Sequence, residues 1–254
     1  VFLPHHFEGD FVMVDKNKIH IGTSGWHYDD WIGFFYPEGM VARDYLKHYT
    51  KTFKTVEINN TFYQLPQKST VKDWGDIVPK EFSFAPKASR YITHMKKLKD
   101  PEQSTKKFFD SLTPIKKNTG PILFQLPPRF KYNHERLEQF LESLPNDHRY
   151  AFEFRDEDWF NDKSVELLKK YNAAFCIYYI GDRESPKELT ADFSYIRYHG
   201  PDGLGQGYYS EDNLKKFADE INTFVEQGCE IYAYFNNDNG GNAPQNAQSL
   251  LSMF

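Results

Sequence analysis

The sequence predicts a single (β/α)8 TIM barrel, and three observations carry that expectation. Eight short apolar segments recur along the chain, most of them followed by a helical pattern, as parallel β-α units require. The length of 254 residues suits eight such units in one domain. No Pro/Gly/Ser-rich linker divides the chain. The first strand is followed by Ser24-Gly25-Trp26, not by the phosphate-binding turn that a doubly wound open sheet usually carries there.

Residues 19–24 form the first expected strand, followed by Gly25-Trp26-His27-Tyr28, an aromatic loop over 29–39 and an amphipathic helix over 41–51. The second strand is 55–60, with a helix over 70–78. The third is 81–87, and after a long loop Asp100 supplies a helix cap with Pro101 in the first turn. The fourth, 121–126, is stopped by Pro127-Pro128, and Asn133 caps a helix over 134–144. The fifth opens the stretch 151–159, with a helix over 163–171. The sixth, 173–180, leads into a connector through Pro186. The seventh is 194–199, followed by a Gly-rich loop and a helix over 211–227 capped by Ser210. The eighth is 230–236, and Pro244 opens the last helix. The barrel is thus expected over 19–254, with 1–18 as an N-terminal extension. Met13 as the native start would make the residues before it additional. Residues 1–10 lack a basic n-region and an apolar core, so no signal peptide is expected.

A net charge of −5 with 26% charged residues gives neither a general nucleic-acid field nor a membrane-surface field. The longest apolar run, 173–180, is far short of a membrane span. Cys176 and Cys229 give no disulfide framework, which makes a reducing cytoplasm the expected setting.

Strand phase then selects candidate site residues, because alternate side chains face opposite sides of a strand. Val56 and Ile58 face the helices, leaving Glu57 and Asn59 inside. Phe82 and Phe84 leave Lys87 inside; Phe124 and Leu126 leave Gln125. Phe152 and Phe154 leave Glu153 and Arg155; Ile196 and Tyr198 leave Arg197 and His199. Ala233 and Phe235 leave Asn236, and Ser24 ends the first strand. Barrels keep their sites at the carboxyl ends of the strands, where these residues collect. One buried Gln or Asn is usually just a satisfied core residue. Glu153 with Arg155, or Glu57 with Lys87, could serve as structural ion pairs, although buried pairs are costly. A whole ring of them points to function. Glu57 and Glu153 oppose Lys87, Arg155 and Arg197, so the pocket is expected to be cationic and suited to phosphate or carboxylate. Gly203, Gly205 and Gly207, with Gly240-Gly241 before the last helix, add an expected phosphate loop. Trp26, Tyr28, Trp31, Phe62, Tyr63, Trp159, Tyr208 and Tyr209 collect at the same end, where they are expected to rim the pocket as stacking surfaces, about half of them capping the barrel core instead.

Seven motifs in order then resemble one family: Ile21-Gly-Thr-Ser-Gly-Trp26, the run from Val56 to Tyr63, Thr93-His94, Phe124-Gln-Leu-Pro-Pro128, Phe152-Glu-Phe-Arg155, Arg197-Tyr-His-Gly200 and Phe235-Asn-Asn237. Together they look like the YecE-like family, also called domain of unknown function 72. The resemblance implies a (β/α)8 barrel of bacterial, cytosolic type and leaves the reaction open.

The leading functional expectation is an enzyme for a small anionic, hydroxyl-rich substrate such as a sugar phosphate. Glu57, Glu153 and His199 are its expected catalytic groups. Ser24, Trp26, Tyr28, Asn59, Lys87, Gln125, Arg155, Trp159, Arg197 and Asn236 are its expected substrate-binding groups. Paired carboxylates would also suit a glycosidase. Metal-dependent chemistry through His27, His94 and His199 is a second reading. It lacks close ligand spacing and faces three cations, so no metal or cofactor is expected. A non-catalytic binder of nucleic acid or a metabolite is the third, with nucleic acid disfavoured by the acidic net charge.

Overall fold

The computed structural model describes residues 15–254; the expectation for the residues before Met13 lies outside them. The chain has an α/β fold with a curled, mostly parallel sheet and helices packed on its outer face. Its strands are β1 (Ile19–Thr23), β2 (Thr55–Ile58), β3 (Ser83–Pro86), β4 (Ile122–Gln125), β5 (Tyr150–Glu153), β6 (Ala174–Ile180), β7 (Arg183–Glu184), β8 (Phe193–Tyr198) and β9 (Glu230–Phe235). The longer helices are α3 (Lys68–Ile77), α4 (Pro101–Leu112), α5 (His134–Ser143), α6 (Asp162–Lys170), α7 (Glu211–Glu226) and α8 (Asn242–Leu251), with short α1 (Tyr45–Tyr49) and α2 (Asn60–Tyr63) before them.

The continuous ladder runs β1-β9-β8-β6-β5-β4, and β2-β3 is a separate parallel pair. An unbroken ladder of eight strands, as the sequence suggested, is therefore not what the backbone makes. At the β1–β2 seam only Ser24 and Glu57 form a bridge; at the β3–β4 seam Phe84–Thr119 and Lys87–Leu123 do. Crowding explains both. A Cβ on Gly22 would lie 2.3 Å from the Thr55 carbonyl oxygen, and one on Gly120 would lie 2.2 Å from Ser83 Oγ. Glycine lets the chain come close to a backbone carbonyl at the first seam and to a serine hydroxyl at the second. The Tyr49 hydroxyl stitches the first seam: it accepts from Thr23 N–H at 2.9 Å and donates to the Thr55 carbonyl at 3.0 Å.

A second departure lies between β6 and β8. Instead of a helix, the chain makes a tight hairpin in which β7 runs antiparallel to β6. Elsewhere the helix signals read true. Asn133 accepts from Arg136 N–H at 3.0 Å, and Ser210 forms a reciprocal cap with Asn213. Asp100 does not cap: its backbone is left-handed and its carboxylate goes to Lys96 Nζ at 2.8 Å.

Two apolar layers result. Val56, Phe84, Phe124, Phe152, Ile177, Ile196 and Phe235 pack under the helices. Ala85, Leu123, Ala151, Ala174, Cys176, Phe193, Tyr195, Tyr232 and Tyr234 fill the concave side of the sheet. The alternation is the phase expected from the sequence. Cys176 and Cys229 are buried free thiols. Among the described residues no helix is long and apolar enough to cross a membrane.

Tyr49→Phe should destabilise the fold by about 1–3 kcal/mol, because it strands a buried N–H and a buried carbonyl at the seam. Urea denaturation at neutral pH measures this; an unchanged midpoint would show that the seam does not depend on the hydroxyl.

Candidate functional site

The interior phase delivers its polar side chains to the carboxyl end of the curled sheet in two tiers. The lower tier is a buried charge network. Arg197, on β8, is 1% exposed and reaches across the concave interior. Its Nη2 donates to Glu57 Oε1 on β2 at 2.7 Å, and its Nη1 donates to Glu153 Oε2 on β5 at 2.6 Å. Glu57 also accepts from the Ser24 hydroxyl and, at 2.7 Å, from Tyr195. Ser24 has spent its proton on Glu57, so its oxygen accepts from Asn59 Nδ2 at 2.5 Å. Arg155 pairs through Nε with Glu153.

Burial alone would raise both carboxyls. For Glu57, Arg197 and then Lys87 reverse that and hold it below the usual carboxylate range. For Glu153, Arg155 and Arg197 hold it well below that range. Both glutamates are therefore ionised, fully buried and surrounded by donors.

The upper tier lines a cleft of about 830 Å³. Tyr28, from the loop after β1, lines its wall with Asn59, Lys87, Gln125, Arg155, Arg197, His199 and Asn236. Glu57 and Glu153 do not; they lie in the network beneath it, so their expected acid/base role has no direct access to the cleft. Ser24 is likewise buried, because its hydroxyl serves Glu57. Trp159 is not on the rim at all. It lies on the helix side of the sheet, stacked on Phe154 at 4.8 Å, with its indole N–H on the Phe130 carbonyl at 2.5 Å. Trp26 sits edge-on to Trp74 and faces a neighbouring groove. The glycine loops turn their N–H groups inward: Gly205 donates to the His199 carbonyl at 2.7 Å and Gly240 to the Asp30 carboxylate at 3.2 Å.

His199 is held by cations. Its Nε2 lies 2.8 Å from Arg155 Nη2 and 3.4 Å from Arg197 Nη1. A guanidinium can only donate, so Nε2 accepts and the ring proton sits on Nδ1. The Asn236 amide lies 3.1 Å from Nδ1 and takes that proton through its oxygen, the amide orientation following from the hydrogen bond. Burial and Arg197 lower the His199 pKa to about 4, so the ring is neutral at neutral pH.

Lys87 is the odd charge. It is 9% exposed, yet among the described residues no carboxylate comes within ion-pair distance of its Nζ, which lies 4.4 Å from the centre of the Phe62 ring. The expected Glu57–Lys87 pair is therefore absent, because Arg197 occupies that carboxylate. Burial, then Arg197, lower the Lys87 pKa to about 8.

Some wall residues escaped the sequence reading. Asp238 lines the cleft, receives the Tyr28 hydroxyl at 3.2 Å and is pushed up to about 8, chiefly by burial. Tyr178 lies under the Arg155 guanidinium at 4.8 Å. Tyr178 was hidden because β6 is apolar on both faces and shows no phase; Asp238 was hidden in the loop between the last strand and the last helix, where strand phase gives no direction. Among the described residues no three His, Cys, Asp or Glu side chains group to hold a metal ion. His27 faces the neighbouring groove and His94 packs edge-on to Phe62, away from His199.

A family model described as "Protein of unknown function DUF72" matches residues 20–254. The UPF0759 protein YunF of Bacillus subtilis is 26% identical over 92% of this chain and 94% of its own length. The UPF0759 protein YecE of Escherichia coli K12 is 29% identical over 56% of this chain and 50% of its own length. A crystal structure of a DUF72 family protein from Thermotoga maritima superposes with a TM-score of 0.84 at 29% identity, covering 92% of this chain and 98% of that one. A DUF72 family protein from Enterococcus faecalis gives 0.77 at 18% identity, which speaks for the fold alone.

Arg197→Ala should cost about 3–5 kcal/mol, because it leaves two buried carboxylates without their shared partner. A urea midpoint within error of the parent would show that the network carries no stability.

Lys87→Met should act in the opposite sense. A lysine whose folded pKa, about 8, lies below its unfolded value destabilises the fold while it is charged, and the penalty fades as pH rises from 8 towards 10.5. The substitution should therefore raise stability at pH 7 by up to about 3 kcal/mol and flatten the rise above pH 8. Melting curves from pH 6 to 10 decide it; a lower melting temperature at pH 7 would refute the assignment.

Proposed function

The chain belongs to the DUF72 family, and from that premise we propose that the cleft is the binding site of an enzyme for a small anionic, hydroxyl-rich molecule such as a sugar phosphate. The observation that carries this reading is Lys87: a nearly buried ammonium, facing the cleft, that makes no direct ion pair with a carboxylate among the described residues. Glu57 and Glu153 answer Arg197 and Arg155, so Lys87 is the cation left over. A buried charge is costly unless paired, and an anion entering the cleft supplies the partner. Arg155 stands beside it with a further guanidinium edge. Asn59, Gln125, Asn236 and Tyr28 line the same wall and provide the neutral donors and acceptors that sugar hydroxyls need.

Within this reading the two glutamates aim the cationic groups and do not touch the substrate. Proton transfer falls to Lys87, whose amine is brought within reach of neutrality, and to Asp238, whose carboxyl keeps its proton near neutral pH. The ligand is a small molecule in preference to nucleic acid, because Glu157, Asp182 and Glu184 also line the cleft and would repel a long phosphate backbone. We also take the seam bridges to close the strands into one barrel of a single domain. Its carboxyl-end mouth is then the cleft, and its free thiols suit the cytoplasm.

Inorganic phosphate or glucose 6-phosphate at a hundredfold excess over its Kd should stabilise the protein by about 2.7 kcal/mol. That is roughly 5–10 °C in Tm. The gain should be missing in Lys87→Met and should fade above about pH 8 as the amine loses its proton. No shift with phosphate, sulfate, carboxylates or sugar phosphates at up to tens of millimolar would sink the reading.

A further inference from the structure

Beside the polar cleft lies a second cavity of about 790 Å³ that the proposed reading does not use. It runs between the loop after β1 and the helices α2 and α3. Its walls are Trp26, Leu46, Trp74 and Ile77, an apolar lining unlike that of the cleft. Trp26 and Trp74 meet edge to face, 5.2 Å apart at 90°. They make an aromatic corner in which a flat ring can stack on one indole and present its edge to the other. Its charged lining residues, Arg43 and Asp73, are of opposite sign, so the groove has no net preference for an anion.

The two cavities are neighbours. Tyr28, Asn59 and Tyr63 line both of them. This shared wall is held in place on one side: the Tyr28 hydroxyl donates to the Ser24 carbonyl at 2.7 Å, and Asn59 is fixed to Ser24 Oγ. Tyr63, the third member, is 73% exposed and lines both cavities at their outer edge. Large exposed aromatic side chains beside an apolar groove are where ligands and partners bind.

We propose that the groove binds a planar aromatic group belonging to the same small molecule whose anionic end sits at Lys87 and Arg155. This rests on the anion reading of the cleft and extends it: the substrate class becomes an aromatic compound joined to a phosphate or carboxylate by a short hydroxylated or alkyl link. Burying a ring against two indoles contributes through apolar area and through its ring geometry, and neither term depends on the charge at the other end.

The test is a comparison of dissociation constants, by calorimetry, for methyl phosphate and for phenyl, benzyl and 3-phenylpropyl phosphate, a series that varies the reach from anion to ring. At least one aryl ester should bind tenfold or more tightly than methyl phosphate. In Trp74→Ala, and separately in Tyr63→Ala at the exposed wall, that ratio should fall towards one. If methyl phosphate binds but no aryl ester gains more than twofold, the groove proposal is wrong and the anion site stands. The proposal is equally wrong if the gain survives both substitutions. If methyl phosphate itself does not bind, the anion reading fails and takes the groove proposal with it.

Discussion

The rest of the structure depends on one guanidinium. Arg197 leaves β8 and grips Glu57 on β2 and Glu153 on β5, so a single side chain ties together strands that do not hydrogen-bond to one another. β2 belongs to the separate β2-β3 pair, and Arg197 is a polar link from the main ladder to that pair. Three fully buried charges would be ruinous singly. They are tolerable because each carboxylate meets a cation and at least one donor: Glu57 accepts from Arg197, Ser24 and Tyr195, and Glu153 accepts from Arg197 and pairs with Arg155. The same contacts set the floor of the cleft, so the brace that links the strands also fixes which polar groups remain above it.

That division of labour was only half legible in the sequence. Period-2 alternation put Glu57, Lys87, Gln125, Glu153, Arg155, Arg197, His199 and Asn236 on the interior side, and the two apolar layers have that phase. Phase says which side of a strand a residue faces; it does not say at what height its functional atoms end. Glu57 and Asn59 share a phase two residues apart, yet one is sealed in the network and the other lines the cleft. Pairing was equally hidden. Lys87 and Arg197 were both available to Glu57, and only three-dimensional reach assigns the carboxylate to the arginine, whose forked donors can serve two glutamates at once.

Aromatic residues misled for a different reason. Trp159 follows β5 in a loop and looks like a rim residue, but its flat face completes the stack of Phe154 and Phe152 on the helix side. A loop position allows either side, and the apolar area gained by stacking decided it. The breaks in strand pairing were also out of reach, since they rest on close approach at Gly22 and Gly120 and on the Tyr49 hydroxyl standing in for a ladder bond. A lone glycine in a strand signals close approach but not which neighbour comes close. The absent helix between β6 and β8 was visible only as a weak connector through Pro186.

The cleft's chemistry follows from what the network leaves unsatisfied. His199, held as an acceptor by Arg155 and Arg197, stays neutral and adds no charge. Asp238, protonated near neutral pH, adds none either. Among the buried groups the two glutamates cancel the two arginines, which leaves the Lys87 ammonium, while Glu157, Asp182, Arg183 and Glu184 line the more open part of the cleft. A protein of net charge −5 thus keeps one unpaired cation within a largely buried wall. Stability gives no reason to retain it, since burial and Arg197 both work against its charge. Under the proposed reading a ligand anion gives the reason: its binding would offset the cost of the buried ammonium, and the same charge would select what enters.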